Sequence, residues 1–135
     1  MPAKSQLSLR LLQATVATLA LVPISAGLLG VLRGPAFLGL DAPPPTDLDS
    51  HLRFLSGVFL ALGLAWWSCI PAIETKTARF RLLACATVVG GLARLASLGL
   101  LGAPSAGHMA GLFMELVVVP LLVFWQARLA RRPTP

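Results

Sequence analysis

Four long apolar blocks, separated only by short polar or proline-rich punctuation, dominate this chain and leave it few folds to adopt. They cover residues 7–32, 51–73, 80–101 and 108–127. Each is close to the ~20 residues a helix needs to cross ~30 Å of hydrocarbon. They are rich in Leu, Ala, Val and Gly, lack the strict alternation of a membrane β-barrel strand, and are too long to be strands. With 56% hydrophobic and only 12% charged residues, the chain is also too poor in charge for a globular surface, where ~25% is usual. The fold class that follows is an all-α membrane protein, a four-transmembrane-helix bundle. A length of 135 residues accommodates it as a single domain.

The punctuation sets the expected boundaries. Pro35, Gly39 and the run Pro43-Pro44-Pro45 break the chain after the first block, and Asp47 or Asp49 is placed to cap the second helix. Pro71 closes the second block, Glu74 to Arg81 form a tight polar loop, and Gly102 to Gly107 separate the third block from the fourth. Within the first block Pro23 is expected to kink the helix, while Thr15, Thr18 and Ser25 can return hydrogen bonds to the backbone. That block runs on past Ser25-Ala26-Gly27 to Leu32. This is longer than the ~7–15 residues of a signal-peptide core, so it is expected to be retained as a helix.

Orientation follows from the basic residues. Lys4, Arg10, Lys76, Arg79, Arg81, Arg128, Arg131 and Arg132 fall on one side if four helices cross, whereas the other side has Arg33 and Arg53 beside Asp41, Asp47 and Asp49. The positive-inside rule then puts both termini and the middle loop in the cytoplasm. Trp66, Trp67 and Trp125 fall towards the same side, where an aromatic belt is expected. The net charge of +6 is accounted for by these flanking residues, which meet anionic headgroups, so nucleic acid is not an expected partner. Cys69 and Cys85 lie within apolar blocks, have no ligands at metal spacing and read as small core residues.

Two ionisable residues remain deep inside apolar blocks, Arg94 in the third and Glu115 in the fourth. Each lies about seven residues from the outer end of its block, roughly 10 Å deep at 1.5 Å per residue. Opposite charges at one depth on adjacent antiparallel helices are most cheaply explained as an ion pair. Asp49 and Arg53 form a second candidate pair at i,i+4 spacing, with Gly57, Ala61 and Ala65 continuing the Arg53 stripe and Gly90 one turn from Arg94. His51 and His108 are expected at the rim. Asp49, Arg53, Arg94, Glu115 and His108 thus form a candidate binding cluster open to the outer leaflet. A plainer reading stands beside it: Arg94 with Glu115 locks two helices, Arg53 with Asp49 is an interfacial pair, the histidines are interfacial, and the glycines serve packing. No motif points to a metal, a cofactor or a catalytic nucleophile.

Three stretches carry a family likeness: Asp49–Gly63 (DSHLRFLSGVFLALG), Gly90–Ser97 (GGLARLAS) and Glu115–Leu122 (ELVVVPLL). Together they resemble a bacterial family of small four-helix membrane proteins, the domain of unknown function 4345. The family has an acidic residue and Arg opening helix two, Gly-Gly and Arg in helix three, and Glu early in helix four. The likeness runs from helix two to the end, with helix one matching in character alone. It implies the fold but no activity. A looser likeness to DoxX-like membrane proteins rests on size and helix count.

Three classes of function are compatible with these residues. The first is a non-enzymatic protein whose outer-leaflet cluster binds a small anionic ligand or lipid headgroup, or docks a helix of a partner membrane protein or a second copy. Two arginines against one deep carboxylate would leave positive charge for such a ligand. The second is a small proton-coupled transporter or carrier subunit with Glu115 as the titrating group. It needs a polar path to the cytoplasm, where the helices read as apolar apart from Cys85 and Gln126. The third is a membrane enzyme acting on lipid or isoprenoid through Glu115 or His108.

Overall fold

The punctuation converts into helix ends through identifiable backbone chemistry. The computed structural model describes residues 3–39 and 43–131, with the side chains of residues 3 and 4 left aside. Asp41 and Arg132 and the Lys4 side chain, used above for orientation, lie outside the described residues. Helix α1 spans Ala3–Arg33 and passes directly into a 3₁₀ turn, Gly34–Leu38. Helix α2 spans Thr46–Trp67, α3 spans Thr77–Leu101, and α4 spans Ala106–Ala130 with a π-helical segment at Met114–Val118. There is no strand among the described residues.

All four helices are long and apolar enough to cross a membrane. Their outward faces carry large apolar side chains, with Leu82 69%, Phe54 66% and Leu101 87% exposed. A water-soluble protein does not leave so much apolar surface bare. The chain is a multi-pass membrane protein.

The two ends of α2 differ most from the sequence expectation, by five and six residues, the other helix ends lying within four. Helix α2 begins at Thr46, not His51, and neither Asp47 nor Asp49 caps it: Pro45 holds the cap position and accepts the Asp49 N–H at 3.1 Å. Both aspartates sit inside the first turn, where the positive end of the helix dipole favours them. The same helix stops at Trp67, not Ile73. The Ser68 hydroxyl donates to the Ala65 carbonyl at 2.6 Å, and the Cys69 and Ile70 N–H groups bond back three residues to Trp66 and Trp67. This tightened turn leads to Ala72, whose φ of 53° ends any helical continuation. Hydropathy does not register the change, because the turn itself is apolar.

By its contacts the chain divides into two compact units, Gln13–Ile70 and Met1–Leu12 with Pro71–Pro135. In the first, α1 and α2 run antiparallel at close range. A side chain at Gly27 would come within 2.5 Å of the Leu60 backbone nitrogen and 2.8 Å of the Ser56 carbonyl. Further along, Gly63 accepts Ile24 and Pro23 of α1 in the same way. Backbones approach this closely only where one helix has no Cβ. Helix α1 runs on through Pro23, and the Ser25 hydroxyl donates to the Leu21 and Val22 carbonyls, as the sequence led one to expect of Ser25. At the other end Gln13 donates to the Ile70 carbonyl at 2.9 Å.

The second unit is built on the antiparallel hairpin of α3 and α4, joined across Gly102, whose φ of 89° reverses the chain. Phe80, Leu83 and Ala84 of α3 and Leu112, Val119, Leu122 and Leu129 of α4 are buried there, together with Leu12 of α1 and Ile73. Gln126 is fully buried among them, its amide donating to the Ile73 carbonyl and the Thr77 hydroxyl at 3.0 and 2.9 Å. The first residues of α1 join this unit through Ser8, which accepts the Trp125 indole N–H at 2.9 Å.

Candidate functional site

Arg94 and Glu115 meet within the second unit as depth matching on antiparallel helices requires. Arg94 Nε donates to Glu115 Oε2 at 3.1 Å and Nη2 donates to Oε1 at 3.2 Å, a two-pronged contact across the hairpin. Such forks are stronger and more directional than single contacts between the same charges. Glu115 is the better covered partner, its side chain 13% exposed against 31% for Arg94.

The local sequence explains how these side chains come to face each other. Gly91, one turn before Arg94, packs directly on the base of Glu115: a Cβ there would lie 2.8 Å from Glu115 Cβ and from Leu116 Cδ2. Gly90, which the sequence reading favoured, has no atom within 4 Å of where its Cβ would be and serves no close approach. Glu115 itself lies in the π-helical segment, where the Val119 N–H reaches back five residues to the Met114 carbonyl. The cause is Pro120, which has no N–H to give the Leu116 carbonyl four residues earlier. A proline at the end of such a turn widens the helix at the one place where α4 carries an acidic residue, and π-turns recur at functional positions.

The fork with Glu115 uses one edge of the Arg94 guanidinium. Its end edge, Nη1 with the second hydrogen of Nη2, has no protein acceptor among the described residues. On α4, Gly111 leaves room beside it: a Cβ there would lie 4.0 Å from Arg94 Cζ. Donors so placed in a bilayer require an acceptor from outside the chain.

Asp49 and Arg53 also form their expected pair, in the first unit, but Arg53 does more there than the i,i+4 spacing suggests. Nε and Nη2 donate to the two Asp49 carboxylate oxygens at 2.8 and 3.1 Å. Nη1 donates to the Val31 carbonyl at 2.6 Å and the Leu32 carbonyl at 3.3 Å, at the end of α1. Val31 is four residues before Pro35, which cannot donate to it, so Arg53 supplies a missing helix-terminal hydrogen bond. Gly34, at φ +55°, has no side chain where Arg53 Nη2 would be 2.8 Å from a Cβ. Arg53 is thus a brace between α2 and the end of α1. Each arginine has its own carboxylate, so the positive surplus expected from two arginines and one deep carboxylate is balanced locally.

His108 is exposed at the start of α4, its Nδ1 2.9 Å from the hydroxyl of Ser105. Seven residues separate it from Glu115, about 10 Å of helix, beyond direct contact. No set of three His, Cys, Asp or Glu side chains among the described residues converges to hold a metal ion. The close contacts of Gly91 and Gly34 and the buried amide bonds of Gln126 are not expected from the sequence. Pro35 and Pro120 are the available signals, since each marks a carbonyl four residues earlier that must find another donor.

Compared with known proteins, the chain matches one family model, described as Domain of unknown function (DUF4345), over residues 11–126. No curated protein and no solved structure gives a significant match.

Proposed function

The chain belongs to the DUF4345 family, and on that footing we propose that it is a non-enzymatic binding protein that holds a small anionic ligand or lipid headgroup on Arg94. The observation that carries this reading is the divided use of the guanidinium: one edge fixed by Glu115, the other presenting unpaired N–H groups. A fixed guanidinium with a free two-donor edge matches the paired oxygens of a carboxylate or phosphate. Glu115 orients Arg94 and offsets its charge, so the site favours a ligand able to form two hydrogen bonds over a bare anion. Asp49 and Arg53 have a separate role, as the brace that sets α2 against the end of α1. With the basic flanks in the cytoplasm of a bacterial inner membrane, the site opens towards the outer leaflet.

Thermal stabilisation of the purified protein by a panel of short-chain carboxylates and phosphate monoesters, including soluble phosphatidic acid, tests this. One member should raise the midpoint of the wild type and not that of Arg94→Gln. Equal shifts in both proteins would remove the site. Uptake of the same compound into proteoliposomes driven by a proton gradient would replace binding with carriage.

A further inference from the structure

At the opposite end of the α3–α4 hairpin lies a second feature. A groove of about 280 Å³ runs between the two helices and is open to the outside. Ala84, Cys85 and Val88 form one wall; Pro120, Val123 and Phe124 form the other. Arg81 closes the end nearest the start of α3. Arg128 lies at the same end of the hairpin, one turn beyond Phe124 of the groove wall. Both arginines are exposed, and neither has an ion-pair partner among the described residues. Phe124, one turn before Arg128, is 66% exposed, so the groove wall leads towards the second guanidinium.

The two halves demand different chemistry. The walls offer nothing polar to bond, while the mouth offers two uncompensated guanidinium groups. From Arg81 to Val88 the groove covers seven residues, about 10 Å of helix, the length of roughly half an acyl chain. We propose that this groove is a binding site for one anionic phospholipid of the leaflet at this end, its acyl chain lying along Cys85, Val88 and Phe124 and its phosphate between Arg81 and Arg128. An uncharged lipid would fill the groove without satisfying the mouth; a soluble anion would do the reverse. The site is independent of Arg94 and stands or falls separately from the function proposed above.

Native mass spectrometry of the full chain with equal phosphatidylglycerol and phosphatidylcholine of matched chains tests it. The wild type should retain one phosphatidylglycerol preferentially. Arg81→Gln and Arg128→Gln should each lower that preference about fivefold, as expected for a basic residue near an anionic surface. Arg10→Gln removes the same charge at a residue that does not line the groove and should leave the preference unchanged. Cys85→Trp, at an exposed wall position, should reduce retention of both lipids. In the unmodified protein, phosphatidylglycerol should slow alkylation of Cys85 by an apolar maleimide more than phosphatidylcholine does. Loss of preference in Arg10→Gln equal to that in Arg81→Gln, undiminished retention in Cys85→Trp, or equal alkylation rates with both lipids would each overturn the proposal.

Discussion

Glu115 reaches Arg94 through both carboxylate oxygens from the one turn of α4 that is π-helical rather than α-helical. The contact and the irregular turn are linked through Pro120, which denies the α-helical bond to the Leu116 carbonyl, and through Gly91, which lets α3 lie on the base of the glutamate. Stability, placement of the charge and access to the free guanidinium edge therefore depend on residues with no charge of their own.

Two neighbouring glycines separate packing from mere helix composition. Gly91→Ala should destabilise by about 1–3 kcal/mol, the usual cost of forcing extra volume into a filled contact. Gly90→Ala meets open space and should be neutral, or stabilising by up to ~1 kcal/mol through lower backbone entropy in the unfolded chain. Unfolding midpoints in one detergent would check the contrast. Equal effects of the two substitutions would place the α3–α4 contact elsewhere.

The brace at the end of α1 predicts an order of severity. Arg53→Lys keeps the charge but cannot fork Asp49 and reach the Val31 carbonyl together, so it should lower the unfolding midpoint nearly as far as Arg53→Gln. Asp49→Asn, which leaves the Val31 contact in place, should be milder. Gly34→Ala should resemble the arginine variants, because φ is +55° there and the added carbon would meet the ion pair. A fully tolerated Arg53→Lys would show that charge alone matters.

Orientation can be read by cysteine labelling in a Cys69→Ala, Cys85→Ala background. Ser105→Cys, between α3 and α4, should react with an impermeant reagent in intact cells. Ala78→Cys, at the start of α3, should react only after permeabilisation. Ala78 is the better probe than Thr77, whose hydroxyl accepts the Gln126 amide. Labelling of Ala78→Cys in intact cells would invert the topology.

What the sequence disclosed divides along physical lines. Helix number and the Arg94–Glu115 and Asp49–Arg53 pairs were legible because length, hydropathy, depth and i,i+4 spacing are properties of the residues themselves. Arg53 on the Val31 carbonyl was not, because a backbone acceptor leaves no mark in its own residue type; only Pro35, four positions on, betrays it. The early start of α2 at Thr46 was hidden because a proline run reads as a breaker, although Pro45 can hold the cap without donating an N–H. Gly91 and Gly90 look alike in sequence, and only the facing helix distinguishes the one in close contact.

The Arg94–Glu115 contact leads to the most discriminating experiment. Either residue changed alone to Leu leaves its partner as a lone charge, which at a helix centre costs ~2.5–3.5 kcal/mol on insertion scales. Both lie off-centre and Arg94 is 31% exposed, so each single variant should lose less than that, about 1–2 kcal/mol. Exchanging the two residues should restore part of the loss, with a positive coupling in the double-mutant cycle. Replacing both by Leu should be nearly neutral for folding, since buried ion pairs seldom outperform well-packed apolar side chains. Ligand-induced stabilisation should vanish in that double variant, because the free edge of Arg94 goes with it. A double-Leu protein that is stable and still binds would leave the pair as a helix lock. Single variants as stable as the wild type, with no coupling in the exchange, would show that the two charges do not depend on each other at all.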